Sequence, residues 1–143
     1  MFYSSIGGLM KQVKVSAGII MDKDKILCVQ RGAGKYDYIS YKFEFPGGKV
    51  EPNENGKEAL RRELLEEMKL DIKLDEMEHF IEIYHEYKDF KVVMNSYICL
   101  VENPEFELLE HIDGKWLMVD ELLDLDWAEA DIPIVNALIN RGE

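Results

Sequence analysis

The sequence is poor in cysteine and histidine. Its 143 residues include two cysteines, Cys28 and Cys99, and each stands inside its own apolar run. They do not form the C-x-x-C spacing of a zinc or redox site. We therefore expect two buried free thiols in a protein of the reducing cytoplasm. The histidines His79, His85 and His111 do not form a metal-ligand set, and we expect each to be structural or exposed.

Positive charge and long apolar runs are also scarce. Seventeen lysines and arginines face 29 aspartates and glutamates, and the net charge of −12 repels a nucleic-acid backbone. No apolar run reaches the roughly 18 residues of a membrane span, and the first residues lack the basic start of a secretory signal. We expect neither a nucleic-acid nor a membrane partner. If the ligand carries phosphates, a divalent cation must offset the charge of the protein.

The length and composition are those of one globular domain. A chain of 143 residues falls within the range of about 100 to 200 residues for one domain. Hydrophobic residues make up 47% of it and charged residues 32%, which is typical of a folded protein. We interpret residues 1–11 as an N-terminal extension and residues 12–143 as the domain. The sequence does not choose between a monomer and a homodimer.

Runs of β-branched and apolar residues predict two β-hairpins. The first combines residues 12–21 with residues 26–30 across a polar turn. The second combines residues 77–87 with residues 92–101, and a short strand is expected before it at residues 72–74. Residues 31–42 mix glycine with tyrosine and show no period, which predicts a surface loop of the kind that often carries binding residues.

Two helices complete an α+β pattern. Leu60, Leu64 and Met68 recur at helical spacing and predict the buried stripe of a helix over about residues 56–69. A second helix is predicted over residues 131–140. Asp131 is a candidate N-cap of that helix.

Three carboxylates share the other face of the first helix: Glu63, Glu66 and Glu67. Like charges at this spacing destabilise a helix. One interpretation is a solvated acidic face. The other is a metal site, because oxygen ligands on a rigid element, without histidine or cysteine, suit Mg²⁺ or Mn²⁺ rather than zinc. The Gly-Gly turn upstream and the neighbouring Arg62 favour the metal site.

From Gly48 onward, the chain resembles the box of the Nudix hydrolase family, G-x5-E-x7-R-E-U-x-E-E-x-G-U with U apolar. The matching positions are Gly48, Glu54, Arg62, Glu63, Leu64, Glu66, Glu67 and Leu70. The resemblance implies the Nudix fold, an α/β/α sandwich around a mixed β-sheet with the catalytic helix at about residues 56–69. Lys69 stands where the box has glycine, which usually supplies a left-handed helix cap, and we expect its Cβ to cost on the order of 1 kcal/mol there.

The resemblance extends beyond the box to short motifs. The segment EFPGGK at residues 44–49 is similar to the equivalent turn of the MutT-type branch of the family. Arg31 and Glu110 stand where that branch has a substrate-contacting arginine and an additional metal-linked glutamate. The segment ADIP at residues 130–133 is similar to the bacterial CTP pyrophosphohydrolase subgroup.

The resemblance implies an enzyme that converts a nucleoside triphosphate and water into a nucleoside monophosphate and pyrophosphate. The expected substrate is a modified or oxidised (d)NTP, similar to dCTP or to 8-oxo-dGTP. The implied cofactor is Mg²⁺, with Mn²⁺ as an alternative, and the implied ligands are Gly47 through its carbonyl, Glu63, Glu66, Glu67 and Glu110. The general base stays open among Glu63, Glu66 and Glu110.

Three further candidate residues each have two interpretations. Arg62 either clamps a catalytic glutamate or is a surface partner of a neighbouring glutamate. Phe45 either stacks on the substrate base or belongs to the core. Asp131 either accepts a hydrogen bond from the base, such as one from an exocyclic amine, or caps the second helix.

Two alternatives to triphosphate hydrolysis remain. The first is a Nudix hydrolase of ADP-ribose or a sugar nucleotide. The second is a Nudix module that senses a nucleotide without hydrolysing it. Such modules typically lose box glutamates, and all three helix carboxylates are present here.

Overall fold

A computed structural model describes residues 11–141 of the chain. The predicted N-terminal extension lies outside this range, apart from Lys11, which begins the first strand. None of the helices in the described range is long and apolar enough to cross a membrane.

The described residues form seven strands and two α-helices. The strands are β1 (Lys11–Asp22), β2 (Lys25–Gln30), β3 (Phe43–Glu44), β4 (Gly47–Lys49), β5 (Met77–Glu86), β6 (Phe90–Val101) and β7 (Asp113–Met118). The helices are α1 (Gly56–Met68) and α2 (Ile132–Arg141). Short 3₁₀ turns occupy Leu74–Glu76, Val119–Asp124 and Glu129–Asp131.

All seven strands belong to one mixed sheet. Its main order is β3-β2-β1-β6-β5, while β4 pairs with β1 and β7 pairs with β2. Strands β1 and β6 run parallel, in register from Lys11 opposite Phe90 to Asp22 opposite Val101, and the other pairs are antiparallel. Both predicted hairpins are present, as the pairs β1–β2 and β5–β6.

Alternation along the central strands explains the two layers around the sheet. Successive residues of a strand point to opposite faces. Ile19 accordingly packs in the cluster that holds Val135 and Leu138 of α2, whereas Ile20 packs in the cluster that holds Leu60 and the rest of the α1 stripe. One helix therefore covers each face, which confirms the expected α/β/α sandwich around a mixed sheet.

Both cysteines are free and buried, as predicted, and they lie in different clusters on opposite faces of the sheet. Burial raises the pKa of the Cys28 and Cys99 thiols to about 12. Thiols in that state are poor nucleophiles.

The ends of α1 follow local rules. Asn55 caps the first turn by accepting a hydrogen bond from the Glu58 N–H, and Glu58 accepts one from the Asn55 N–H in return. The helix ends at Met68, and Lys69 adopts a left-handed conformation (φ 53°, ψ 35°). This conformation is the one expected from the glycine that the family box has at this position.

The strand predicted at residues 72–74 is wrong. Residues Leu74–Glu76 form a 3₁₀ turn, because the Glu76 side chain accepts a hydrogen bond from the Lys73 N–H at 3.1 Å and closes the turn. This local bond outweighs the β-propensity of the apolar residues before it.

Candidate active site

A cleft of about 650 Å³ crosses the α2 side of the sheet. Its floor consists of alternate residues from the parallel pair β1–β6, with Val13 opposite Val92 and Val15 opposite Met94. Carboxylates of α1 line one end of the cleft, and the other end is aromatic and apolar. The parallel register thus joins a charged region to an apolar pocket.

The Gly47–Gly48 turn brings the backbone against the carboxylate end. Gly47 has φ +154°, and a Cβ there would overlap the backbone of Ser16. At Gly48, a Cβ would overlap the Glu63 carboxylate. Gly47 therefore requires glycine because of its neighbour in β1, whereas a Cβ at Gly48 would displace the Glu63 carboxylate.

Arg62 clamps a glutamate, but that glutamate is Glu54. Its Nε and Nη2 atoms donate to the two Glu54 oxygens at 3.1 and 2.6 Å, and Nη2 also donates to the Lys49 carbonyl at 3.0 Å. The guanidinium lowers the pKa of Glu54. Arg62 also contacts Glu66 at 3.1 Å and Glu63 at 3.5 Å. The clamp and the i,i+4 surface pair, which are alternative interpretations of the sequence, occur together.

The structure brings Glu63 and Glu67 together at the cleft and leaves the other two candidate carboxylates on its solvent side. Both Glu63 and Glu67 line the cleft. The Glu66 side chain is 58% exposed and turns toward Arg62. Glu110 is exposed on the loop between β6 and β7, yet its charge reaches Glu67.

Glu67 carries the strongest electrostatic perturbation of the cluster. Burial raises its pKa to about 8, aided by the charges of Glu63, Glu44 and Glu110 and opposed by Arg31. Its Oε1 atom is buried and has no hydrogen-bond partner among residues 11–141. Burial also raises the pKa of Glu63. Carboxylates this close together, one of them with an unpaired oxygen, indicate a site whose negative charge a bound cation would balance.

These residues fit a hard divalent cation by the chemistry of their donors. All are oxygen donors, the kind that Mg²⁺ and Mn²⁺ prefer. Within the part of the chain that the structure describes, no three acidic, cysteine or histidine side chains are already gathered as a metal-ligand group. The fit therefore rests on the orphaned Glu67 oxygen and the unbalanced charge.

The aromatic end contains Phe45 and Asp131. Phe45 is 3% exposed and stacks on Trp127 with ring centroids 4.8 Å apart, so it is a core residue that also forms a wall of the cleft. Asp131 is 5% exposed, lines the cleft, and accepts a hydrogen bond from the Phe45 N–H at 3.4 Å. Among the described residues, no amide of α2 donates to its side chain, so the capping interpretation lacks its hydrogen bond. Burial raises the pKa of Asp131, and the charge of Glu44 adds to that rise.

Arg31 lies between the two ends. It follows β2 directly, lines the cleft, and its Nη1 atom donates to Glu44 Oε1 at 3.1 Å. Its side chain is 40% exposed. Part of the guanidinium is therefore accessible from the cleft.

Sequence reasoning missed Glu44 and His111. Glu44 lines the cleft, and its charge helps to raise the pKa of both Glu67 and Asp131. His111, which was expected to be structural or exposed, is buried, and its ring bonds to Glu44 beside the cleft. The available signals were the position of Glu44 next to Phe45 and of His111 next to Glu110. Neither signal reveals that the two side chains meet.

Known proteins with similar sequences identify the family of this domain. The family model described as NUDIX domain matches residues 10–138. The CTP pyrophosphohydrolase of Escherichia coli (strain K12) is 32% identical over 134 residues, covering 91% of this chain and 93% of that protein. The 8-oxo-dGTP diphosphatase of Buchnera aphidicola subsp. Schizaphis graminum (strain Sg) is 33% identical, covering 90% and 95%.

A solved relative shares the fold. The solution structure of the E. coli ORF135 protein is 32% identical, covers 92% of this chain and 91% of its own, and superposes with a TM-score of 0.73. Hydrolases with this domain generally use divalent metal ions. The chain therefore belongs to the Nudix family and is a pyrophosphohydrolase related to CTP pyrophosphohydrolase and 8-oxo-dGTP diphosphatase.

Proposed function

We propose that this enzyme hydrolyses nucleoside triphosphates to nucleoside monophosphate and pyrophosphate with Mg²⁺ or Mn²⁺. Its preferred substrate is a modified or oxidised (d)NTP that resembles dCTP or 8-oxo-dGTP. The observation that carries the proposal is the single cleft that joins the Glu63–Glu67 carboxylates to the Phe45–Asp131 pocket. The names of the relatives support the same class of substrate.

The charges along the cleft support a polyphosphate ligand. The whole chain has a net charge of −12, yet the cleft is lined by four cationic side chains in addition to Arg62. They are Lys11, Arg31, Lys35 and Lys49. Together with Arg62 they equal in number the five carboxylates that line the cleft, which are Glu44, Glu51, Glu63, Glu67 and Asp131. The cleft is therefore less negative than the protein as a whole, and its cations can contact an anionic ligand there.

The metal-binding role falls to the carboxylate end. Glu63, Glu67 and the Gly47 carbonyl would hold the ion, with Glu66 and Glu110 as further ligands. When bound, the ion supplies neutralisation of the polyphosphate and acidification of a water molecule. Arg62 positions the loop before α1 through its bonds to Glu54 and to the Lys49 carbonyl.

The protein residues handle the proton and the leaving group. In the reaction, the water oxygen bonds to phosphorus, the anhydride P–O bond breaks, and the departing phosphate oxygen takes the bonding electron pair, which yields nucleoside monophosphate and pyrophosphate. A carboxylate among Glu63, Glu66 and Glu110 accepts the proton of the water. Arg31 binds a phosphate oxygen with its exposed part.

The apolar end selects the base. Phe45 contributes a wall that is held rigid by Trp127, and Asp131 contributes a hydrogen-bonding group inside it. When ionised, Asp131 only accepts hydrogen bonds, which favours an exocyclic amine or the N–H groups of an oxidised guanine. Its raised pKa favours the protonated form, which can also donate one hydrogen bond to the base.

The test is pyrophosphate release from normal and oxidised nucleoside triphosphates, with ADP-ribose in the same panel, in Mg²⁺, in Mn²⁺ and in chelator. We expect metal-dependent release that is strongest for the dCTP-like or 8-oxo-dGTP-like substrates. Glu67→Gln is expected to lower turnover by at least about 100-fold. Glu78→Gln, at an exposed position of β5 outside the cleft, is the matched control.

The absence of pyrophosphate release from every triphosphate tested would refute the proposed substrate class. Cleavage of ADP-ribose instead would assign a diphosphate-linked substrate, and binding without cleavage would assign a sensing module. Near-normal activity of Glu67→Gln at saturating metal would remove that carboxylate from the site.

A further inference from the structure

His111 is a buried side chain in an exposed loop. Its neighbours Glu110 and Ile112 are exposed, whereas the imidazole is 5% exposed. The Nε2 atom lies 3.0 Å from Glu44 Oε2. A carboxylate oxygen only accepts hydrogen bonds, so Nε2 carries the proton and donates, whatever the charge of the ring. Nδ1 is buried and has no partner within residues 11–141, so the bond to Glu44 is the one polar contact that orients the ring there.

The other oxygen of Glu44 holds Arg31. Glu44 is 18% exposed, and Oε1 accepts from Arg31 Nη1 at 3.1 Å while Oε2 accepts from His111. Both oxygens of the carboxylate are thus fixed by donors from different segments of the chain. Glu44 therefore links the loop to a cationic side chain that lines the cleft.

The backbone on either side of His111 is anchored. Glu107 and Leu109 donate their N–H groups to the Met68 and Glu67 carbonyls, at 2.8 and 3.1 Å, and so satisfy carbonyls at the end of α1. After His111, the Ile112 N–H donates to the Gln30 carbonyl at 3.0 Å. The loop is held between α1 and the end of β2, and it is this attachment that directs the imidazole inward.

We propose that His111 is a positioning residue for substrate binding, which acts by holding Glu44 so that Glu44 keeps Arg31 directed along the cleft. The inference rests on the proposed function in that the ligand carries phosphates. Without His111, the Glu44 carboxylate loses one of its two restraints, and Arg31 loses a fixed partner. The effect falls on the binding of the phosphate-bearing substrate, because Arg31 lines the cleft.

The kinetic test compares His111→Ala with His111→Gln, using CTP and 8-oxo-dGTP as substrates. We expect His111→Ala to raise KM by about three- to tenfold, the equivalent of one ordinary hydrogen bond, with kcat within about twofold. His111→Gln restores KM, because the Gln amide can donate to Glu44. His79→Ala is the matched control, since His79 also has one side-chain bond, to Asn95, and does not line the cleft.

A double-mutant cycle tests the path through Arg31. If His111 acts through Arg31, His111→Ala adds less than about twofold to the KM of Arg31→Ala. Full additivity of the two substitutions would overturn the proposal. A loss of kcat that His111→Gln does not rescue would also overturn it, because it would indicate damage to the carboxylate end or to the fold.

A measurement without substrate separates this inference from the proposed function. In ¹⁵N-labelled protein free of ligand, we expect a protonated His111 Nε2 whose signal shifts in Glu44→Ala and keeps its position in His79→Ala. That result, with no triphosphate hydrolysed, would refute the proposed function and keep the His111–Glu44 link. An unchanged His111 signal in Glu44→Ala would overturn the positioning role even in an active enzyme.

Discussion

The left-handed residue at the end of α1 allows a stability prediction with a worked magnitude. Lys69 has φ 53° and ψ 35°, where a residue with a Cβ carries a strain of about 1–2 kcal/mol. Glycine removes that strain but adds about 0.5–1 kcal/mol of flexibility to the unfolded chain. We therefore expect the free energy of unfolding of Lys69→Gly to be about 0.5–1 kcal/mol higher than that of Lys69→Ala. For a chain of this size, the difference in Tm is about 2–4 °C.

The Lys69→Ala variant is the necessary control because Lys69 also makes an ion pair. Its Nζ atom lies 3.2 Å from Glu107 Oε2, and both side chains are about 60% exposed. A pair this exposed contributes at most about 1 kcal/mol, and both variants lose it equally. Urea denaturation of the three proteins, with thermal unfolding as a second probe, measures the difference. A Lys69→Gly variant no more stable than Lys69→Ala would refute the assignment of backbone strain to this position.

Three further predictions concern the cleft. Gly48→Ala is expected to abolish turnover with the fold retained, because the added Cβ overlaps the Glu63 carboxylate. Pyrophosphate release measures turnover and circular dichroism measures the fold. Full activity of Gly48→Ala would contradict the overlap with Glu63. Mn²⁺ binding at pH 7 is expected to release a proton in wild-type protein and not in Glu67→Gln, because the pKa of Glu67 is raised to about 8; calorimetry in buffers of different ionisation enthalpy detects it. Asp131→Asn is expected to stabilise the protein increasingly, relative to wild type, as pH rises above about 4. Burial raises the pKa of Asp131 in the folded protein. The stability that the protonated carboxyl contributes is therefore complete below the pKa of the unfolded chain and is lost as pH rises through the pKa of the folded protein. A difference in Tm between Asp131→Asn and wild type that does not change with pH would contradict the burial of a charged carboxylate.

Local patterns were sufficient for most of the elements. The Leu60, Leu64 and Met68 spacing predicts α1 because side chains four residues apart share one face of a helix. The left-handed Lys69 is equally local, since the backbone geometry at a helix end depends on the adjacent residues. The failure at residues 72–74 has a local cause too, because the Glu76 side chain bonds to the Lys73 backbone and closes a turn.

The same distinction between local patterns and distant contacts applies to the candidate site. The sequence by itself determined that Glu63 and Glu67 share a helix face behind a Gly-Gly turn, because that relation is set by helical periodicity within a short segment. The tertiary structure alone decided that Arg62 holds Glu54 with Nε and Nη2 and that the Asp131 side chain contacts Phe45 rather than a helix amide. It also decided that His111 meets Glu44, 67 positions away in the chain. Such contacts follow from strand order, from the parallel pairing of β1 with β6, and from the docking of a loop on the end of α1. Those arrangements depend on how distant apolar faces pack together, and no short stretch of sequence encodes that.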